Sequence, residues 1–187
     1  MAFGMKAGIL ALQGDFREHA AMFARSGATP VEVRTPEQLE TVDCLAIPGG
    51  ESTTIAKLAR RHDLVEPIRS RAAEGMPMLG TCAGMIVMAR EVGGGEPLLG
   101  VMDIGVERNA YGRQVDSFEI DVDVEGVGPV RAVFIRAPRV TRLGPGVEVL
   151  AEHEGLPVVV RQGKLVAAAF HPEIAGDGRL HALLLEL

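Results

Sequence analysis

The sequence has no tryptophan, one tyrosine and six phenylalanines among its 187 residues. That is too few rings for base stacking to organise a binding surface. No lysine/arginine run is long enough to form a basic stripe, and 19 basic against 25 acidic residues leave a net charge of −6. This argues against non-specific nucleic-acid binding, which depends on neutralising phosphates. Long apolar runs are also missing. Ala7-Gly-Ile-Leu-Ala-Leu12 is short and is followed at once by Gln-Gly-Asp, so no membrane span or targeting segment is read. Met1-Ala-Phe-Gly reads as a short extension, since Met5-Lys6 would also make a sensible start. Cysteine is scarce. Cys44 and Cys82 could pair in principle, but without a signal peptide a reduced, cytoplasmic setting is the expectation. Two isolated cysteines and scattered histidines show no metal-ligand spacing.

What is there is a chain with 47% apolar residues, the composition of a soluble globular protein, and long enough to bury a substantial core. One domain spanning 1–187 is expected. The first half alternates strand and helix about every 15 residues. Apolar strands are read at 6–13, 30–34, 43–48 and 76–80. Helices are read from Asp15 to Ser26 with Asp15 as cap, at 36–40 as a single turn, at 52–61 with Ser52 as cap, and at 64–74. A further apolar helix follows Cys82, and Gly93-Gly-Gly95 reads as its flexible exit. The second half is rich in Val, Ile and Phe in short runs at 117–124, 130–135, 147–152, 157–161 and 165–170. Antiparallel strands are expected there, with Gln162-Gly163-Lys164 as a turn and a last helix over 177–187 presenting Leu180, Leu183 and Leu184. The fold class is α/β, a parallel sheet covered on both faces with a β-rich second half.

Sites in open α/β sheets form beyond the carboxyl ends of the strands, and three clusters fall there. Gly80-Thr-Cys82-Ala-Gly84 lies between an apolar strand and an apolar helix, as a thiol counterpart of the G-x-S-x-G nucleophile elbow. The helix dipole and free N–H groups there favour an anion, which suits a thiolate, although a buried cysteine at such a place can also be inert. Phe170-His171-Pro172-Glu173 follows the last strand. In an extended segment His171 and Glu173 would point to the same side, so the acid could orient the imidazole. Taken alone, the same four residues also make a plain polar loop. Pro48-Gly-Gly50-Glu-Ser-Thr-Thr54 ends one strand and starts a helix. Its backbone could offer an N–H to an oxyanion, with the N–H of Ala83 as a second donor. It lacks the Gly-Lys-Ser/Thr element of a nucleotide-binding loop. His19, His62, His153 and His181 are expected on the solvated surface. Together the three clusters point to cysteine-dependent acyl transfer. A cysteine peptidase or thiol hydrolase working without any partner is the reading open on chemistry alone.

Gly-Thr-Cys82-Ala-Gly with His171-Pro-Glu173 resembles the class I, triad-type glutamine amidotransferases, whose fold is a flavodoxin-like three-layer sandwich. Six motifs, the last of which extends the His-Pro-Glu segment, narrow the resemblance to the glutaminase subunits of pyridoxal 5′-phosphate synthase. They are Leu12-Gln-Gly14, Pro48-Gly-Gly-Glu-Ser-Thr-Thr54, Val106-Glu-Arg108-Asn109, Tyr111-Gly-Arg-Gln-Val-Asp-Ser-Phe118, Val133-Phe-Ile-Arg-Ala-Pro138 and Phe170-His-Pro-Glu173. The resemblance implies hydrolysis of L-glutamine to L-glutamate and ammonia. The ammonia would pass to a barrel-shaped synthase that builds pyridoxal 5′-phosphate, for vitamin B6, from ribose 5-phosphate and glyceraldehyde 3-phosphate. In the family a synthase dodecamer carries up to twelve glutaminase subunits, and the free glutaminase is poorly active until the synthase docks. Cys82 would be the nucleophile, His171 the acid/base and Glu173 its orienter. Gly50 and Ala83 would form the oxyanion hole, and Gly50, Glu51, Ser52, Arg108, Ile135 and Arg136 would bind glutamine. Arginines so placed suit the α-carboxylate of an amino acid. No cofactor is implied, since pyridoxal 5′-phosphate is the product of the complex. An amidotransferase subunit for another pathway, or a catalytically silent regulatory subunit, are the alternatives.

Overall fold

The protein is described from a computed structural model over residues 4–108 and 117–187. The Asn109 and Tyr111-to-Asp116 part of the motifs above lies outside the described residues. The first half runs β1 (Lys6–Leu10), α1 (Phe16–Arg25), β2 (Thr29–Val33), α2 (Pro36–Glu40), β3 (Cys44–Ile47), α3 (Ser52–Arg61), α4 (Val65–Ala73), β4 (Met78–Thr81) and α5 (Ala83–Met88). The second half runs β5 (Ala89–Val92), β6 (Met102–Glu107), β7 (Ser117–Val124), β8 (Gly128–Ile135), β9 (Arg139–Leu143), β10 (Glu148–His153), β11 (Leu156–Gln162), β12 (Leu165–Ala168) and α6 (Arg179–Glu186).

Seven strands form the main sheet in the order β10-β11-β12-β4-β3-β1-β2. From β12 to β2 all neighbours are parallel, whereas β10 and β11 extend the sheet as antiparallel hairpins. The apolar runs are continuous because these strands are covered on both faces: every residue of β3 and β4 is buried. Alternation along β4 shows which helix covers which face. The side chain of Thr81 meets His19 of α1, while Gly80 faces Met88 and Gly84 of α5. α6 packs with α1 on the first face and α3 with α5 on the second. Strand order reverses between β1 and β3, and the loops after these two strands leave on opposite sides of a crevice at the carboxyl edge.

Among the described residues two small sheets accompany the main one. β5 and β6 pair in parallel and β6 and β9 antiparallel, while β7 and β8 form a separate ribbon from Ser117↔Ile135 to Val124↔Gly128. Isolated ribbons are marginal in water. This one is tied to the main body by a β-bridge between Val133 and His171 and by Phe134, which packs against Phe170.

Several details differ from the sequence expectations. The apolar run after Cys82 stops being helical at Met88 and continues as β5, so Gly93-Gly-Gly95 turns out of a strand and not out of a helix. β6 and β9 escape an apolar reading because Asp103, Arg139 and Arg142 interrupt them. These charges point outward and pair, Arg142 with Asp103 at 2.6 Å and Arg139 with Glu107 at 2.6 Å. β12 is antiparallel to β11, with the turn at Gly163-Lys164 as expected, yet parallel to β4 on its other side. The cap of α3 is Glu51 and not Ser52. Its carboxylate accepts from the N–H groups of Thr53 and Thr54 and from both hydroxyls, four donors that one serine could not satisfy. Asp15 sits at the start of α1 but makes no cap bond with its side chain.

Close backbone packing holds β4, α5 and β3 together. A Cβ on Gly84 would lie 2.0 Å from the carbonyl oxygen of Ile47. Backbone cannot yield as a flexible side chain can, so Gly84→Ala should cost at least the ~1–3 kcal/mol typical of overpacking. At roughly 2–4 °C per kcal/mol for a chain of this size, thermal unfolding should show the loss directly.

Candidate active site

Cys82 stands where β4 turns into α5. Its backbone is at φ 49°, ψ −106°, a conformation that non-glycine residues rarely adopt. The neighbours fix that turn: the N–H of Cys82 donates to the carbonyl of Ala168 at 2.8 Å, and Gly80 and Gly84 let strand and helix close up. Sγ then projects beyond the sheet edge, 3.8 Å from the carbonyl oxygen of Ile135, and the residue is 7% exposed. Cys44, the other cysteine, lies buried on β3 with its thiol pushed up to about 12, chiefly by burial and secondarily by Asp43. Both thiols are free.

His171 follows β12. Its N–H donates to the carbonyl of Val133 at 2.8 Å, and its ring lies over Gly49, where a Cβ would fall 2.2 Å from Cε1. Nδ1 bonds Glu173 Oε1 at 2.7 Å, with Glu173 2% exposed. The same-side relation of the two residues holds, but it arises from a turn and not from an extended segment. Gly176 N–H bonds the carbonyl of Glu173, and Asp177 N–H that of Pro172. Asp15 Oδ2 is also 3.4 Å from Nδ1. Burial alone would lower the His171 value, but hydrogen bonds to Cys82 and Glu173, and their charges, outweigh it and raise it to about 10. Burial pushes Glu173 upward while His171 pulls it back. Each partner favours the charged form of the other against the desolvation that both suffer.

One cavity of about 440 Å³, of the size that small-molecule ligands use, opens over these groups. Cys82, Ala83 and His171 line it, and so do Gly50, Glu51, Ser52, Arg108, Ile135 and Arg136. Glu173 alone of the expected residues does not, since it sits behind His171. β6 delivers Arg108 and the β7–β8 ribbon delivers Ile135 and Arg136, the last at φ 43°. Arg108 Nε is buried with no partner among the described residues. The carboxylate of Glu51, held to about 2 chiefly by the hydroxyls of Thr53 and Thr54, is committed to its helix. Glu51 N–H is taken by Gln13 Oε1 at 2.8 Å, which joins the loop after β1 to the loop after β3.

Sequence reasoning gave no site role to several neighbours. Gln13, Asp15, Ile86 and Ile174 also line the cavity. The position of Gln13 in Leu12-Gln-Gly14, between a strand and a glycine, was a usable signal. His19 and His181 contradict the surface expectation: both are fully buried, with His19 Nδ1 2.7 Å from His181 Nε2. The apolar faces of their helices close over them, and Phe23 packs edge-on against His181. His153 is half-buried beside Phe118 and Phe134, and His62 is exposed as expected.

A doubly wound sheet carrying a thiol on a strained strand-to-helix turn, with a buried His–Glu pair beside it, defines a protein of the triad glutamine amidotransferase class. Comparison with known proteins narrows this. Residues 9–187 match the model of the SNO glutamine amidotransferase family. The chain is 57% identical to the pyridoxal 5′-phosphate synthase subunit PdxT of Pelotomaculum thermopropionicum, over 97% of this chain and 94% of that one. It is also 57% identical to the PdxT subunit of Thermus thermophilus, over 96% of each. A crystal structure of a glutamine amidotransferase superposes with a TM-score of 0.92 at 55% identity, covering 96% of this chain and 97% of the other. The chain belongs to the SNO glutamine amidotransferase family.

Two outcomes are expected from these charges. His171 lies above its ordinary 6.5, so its charge stabilises the fold fully below about pH 6.5, and that contribution is lost as pH rises through about 10. In Glu173→Gln the ring titration, followed by NMR, should fall from about 10 towards the ordinary range. Glu51 lies below its ordinary 4.5, so its stabilisation is present above that value and lost as pH falls towards about 2. The difference in unfolding temperature between the parent and Glu51→Ala should therefore shrink as the solution is acidified through that window.

Proposed function

We propose that this chain is the glutaminase subunit of a pyridoxal 5′-phosphate synthase, hydrolysing L-glutamine and supplying the ammonia for vitamin B6 synthesis. The observation that carries the proposal is the meeting of Cys82, His171 and the glutamine-binding candidates in one cavity of a family member. Glutamine enters with its side-chain amide at Cys82. Among the described residues that line the cavity, Arg108 and Arg136 are the cations available for its α-carboxylate. Ser52 and the backbone at Gly50 and Glu51 line the other wall.

The Cys82 thiolate attacks the amide carbon, and the carbonyl oxygen becomes an oxyanion held by the N–H groups of Gly50 and Ala83. The His171 imidazolium gives its proton to the amide nitrogen, the C–N bond breaks, and ammonia leaves a thioester on Sγ. Neutral His171 then takes a proton from water, whose oxygen attacks the thioester carbon. The second tetrahedral intermediate collapses to glutamate and restores the thiolate–imidazolium pair. Throughout, Glu173 keeps one ring tautomer and stabilises the cation.

The ammonia passes to the synthase subunit, with up to twelve glutaminases around a synthase dodecamer, in the cytoplasm. No helix among the described residues is long and apolar enough to cross a membrane. In a complex reconstituted with the cognate synthase, Cys82→Ala should lower glutamine-dependent ammonia release by ~10³ or more, because the nucleophile is lost outright. Retention of full activity by that variant would refute the mechanism. A free chain as active as the complex would remove the dependence on the synthase.

A further inference from the structure

Behind the Cys82–His171–Glu173 set, on the α1/α6 face of the sheet, lies a polar cluster that the mechanism does not use. His19, His181 and Thr81 are each fully buried. His19 Nε2 is 3.0 Å from Thr81 Oγ1 and 3.6 Å from Glu173 Oε1, the same oxygen that bonds His171. His19 Nδ1 is 2.7 Å from His181 Nε2. His181 Nδ1 and Glu173 Oε2 are buried with no hydrogen-bond partner among the described residues.

These contacts choose the tautomers. Were His19 to donate from Nδ1, His181 would carry its own proton on Nδ1, leaving a buried N–H unpaired. The His19 Nε2 lone pair would then accept from the Thr81 hydroxyl and turn no hydrogen towards Glu173, but the unpaired N–H is costly. With the opposite assignment, His181 Nε2–H donates to His19 Nδ1, and His19 Nε2–H donates to Thr81 Oγ1 at 3.0 Å, with Glu173 Oε1 3.6 Å from the same nitrogen. The atom left over is a bare ring nitrogen, which costs less than an unpaired donor. Burial also keeps both rings neutral, holding His19 well below its ordinary range and His181 at about 3.

We infer that His19 is a positioning residue for the glutaminase reaction: braced by His181 and Thr81, it pins Glu173 Oε1 in the orientation that meets His171. The inference rests on the proposed roles of Cys82, His171 and Glu173. A carboxylate can exchange its two oxygens by rotation about its last bond. Here Oε1 bonds His171 at 2.7 Å and has His19 Nε2 3.6 Å away, a longer electrostatic contact, while Oε2 has no hydrogen-bond partner among the described residues, so rotation loses both contacts together. A neutral donor suits the task, because a second cation beside Glu173 would compete with the imidazolium that the carboxylate stabilises. The other ionisable groups around the cluster are Asp15, near His171, and Asp177, near His181.

The test compares His19→Leu, His19→Gln and Thr81→Val. Glutamine can place an amide N–H near the former Nε2, and valine replaces threonine without its hydroxyl. In the complex with synthase, His19→Leu should lower kcat about tenfold or more, a part of the 10²–10⁴ that general acid–base catalysis supplies, with KM little changed. In the isolated chain, the low-field NMR signal of His171 Nδ1–H, the proton shared with Glu173, should move upfield or vanish. His19→Gln should recover most of both losses, and Thr81→Val should show a smaller loss of the same kind. Wild-type kcat and an unmoved signal in folded His19→Leu would overturn the inference. If that variant does not fold, wild-type kcat and an unmoved signal in Thr81→Val would overturn it. Failure of the underlying mechanism would appear separately, as activity surviving in Cys82→Ala.

Discussion

The bond between His171 Nδ1 and Glu173 Oε1 is the interaction on which the rest of the site depends. A carboxylate 2% exposed is costly to keep ionised, several kcal/mol by general estimates, unless a cation and good hydrogen-bond geometry offset the cost. His171 supplies both at 2.7 Å. The polar residues around the pair then follow a common rule. His19 and His181 are buried without charge, so they add hydrogen-bonding capacity and no competing cation. The thiol side of His171 is left facing the cavity.

Glycine makes this concentration of charge sterically possible. The His171 ring occupies the space above Gly49. At Gly14 a Cβ would fall 1.7 Å from the Gly49 carbonyl oxygen, and at Gly84 one would meet the Ile47 carbonyl. Loops after β1 and β3, the turn after β4 and the segment after β12 therefore converge at distances that side chains would prevent. Such convergence at the point where strand order reverses is what the doubly wound topology offers, and here backbone contacts use it fully.

Much of this was legible in the residues. Continuous apolar runs identified β1, β3 and β4, because a strand buried on both faces has no polar alternation to obscure it. The G-x-C-x-G turn and His171-x-Glu173 placed the thiol and its partners at one sheet edge. What stayed hidden depends on tertiary contact. His19 and His181 look like surface residues in helices that carry charges elsewhere, and their burial follows only from the meeting of α1 with α6. Glu51 and Ser52 compete for the same cap, and the presence of two threonines next in line decides it. Arg139 and Arg142 disguised a strand because their partners, Glu107 and Asp103, lie on another strand more than thirty residues away.

The bridge between Val133 and His171 has a consequence for how such a protein can diversify. The ribbon that presents Ile135 and Arg136 to the cavity is joined through main-chain hydrogen bonding to His171, the proposed acid/base. The residues proposed for recognition and for proton transfer thus belong to a single mechanical unit. Exchanging the ribbon for one suited to a different amide would also shift the imidazole. Arg108 reaches the cavity from β6, in another sheet, but that sheet joins the same stretch of chain three residues beyond Arg136 through the pairing of Glu107 with Arg139.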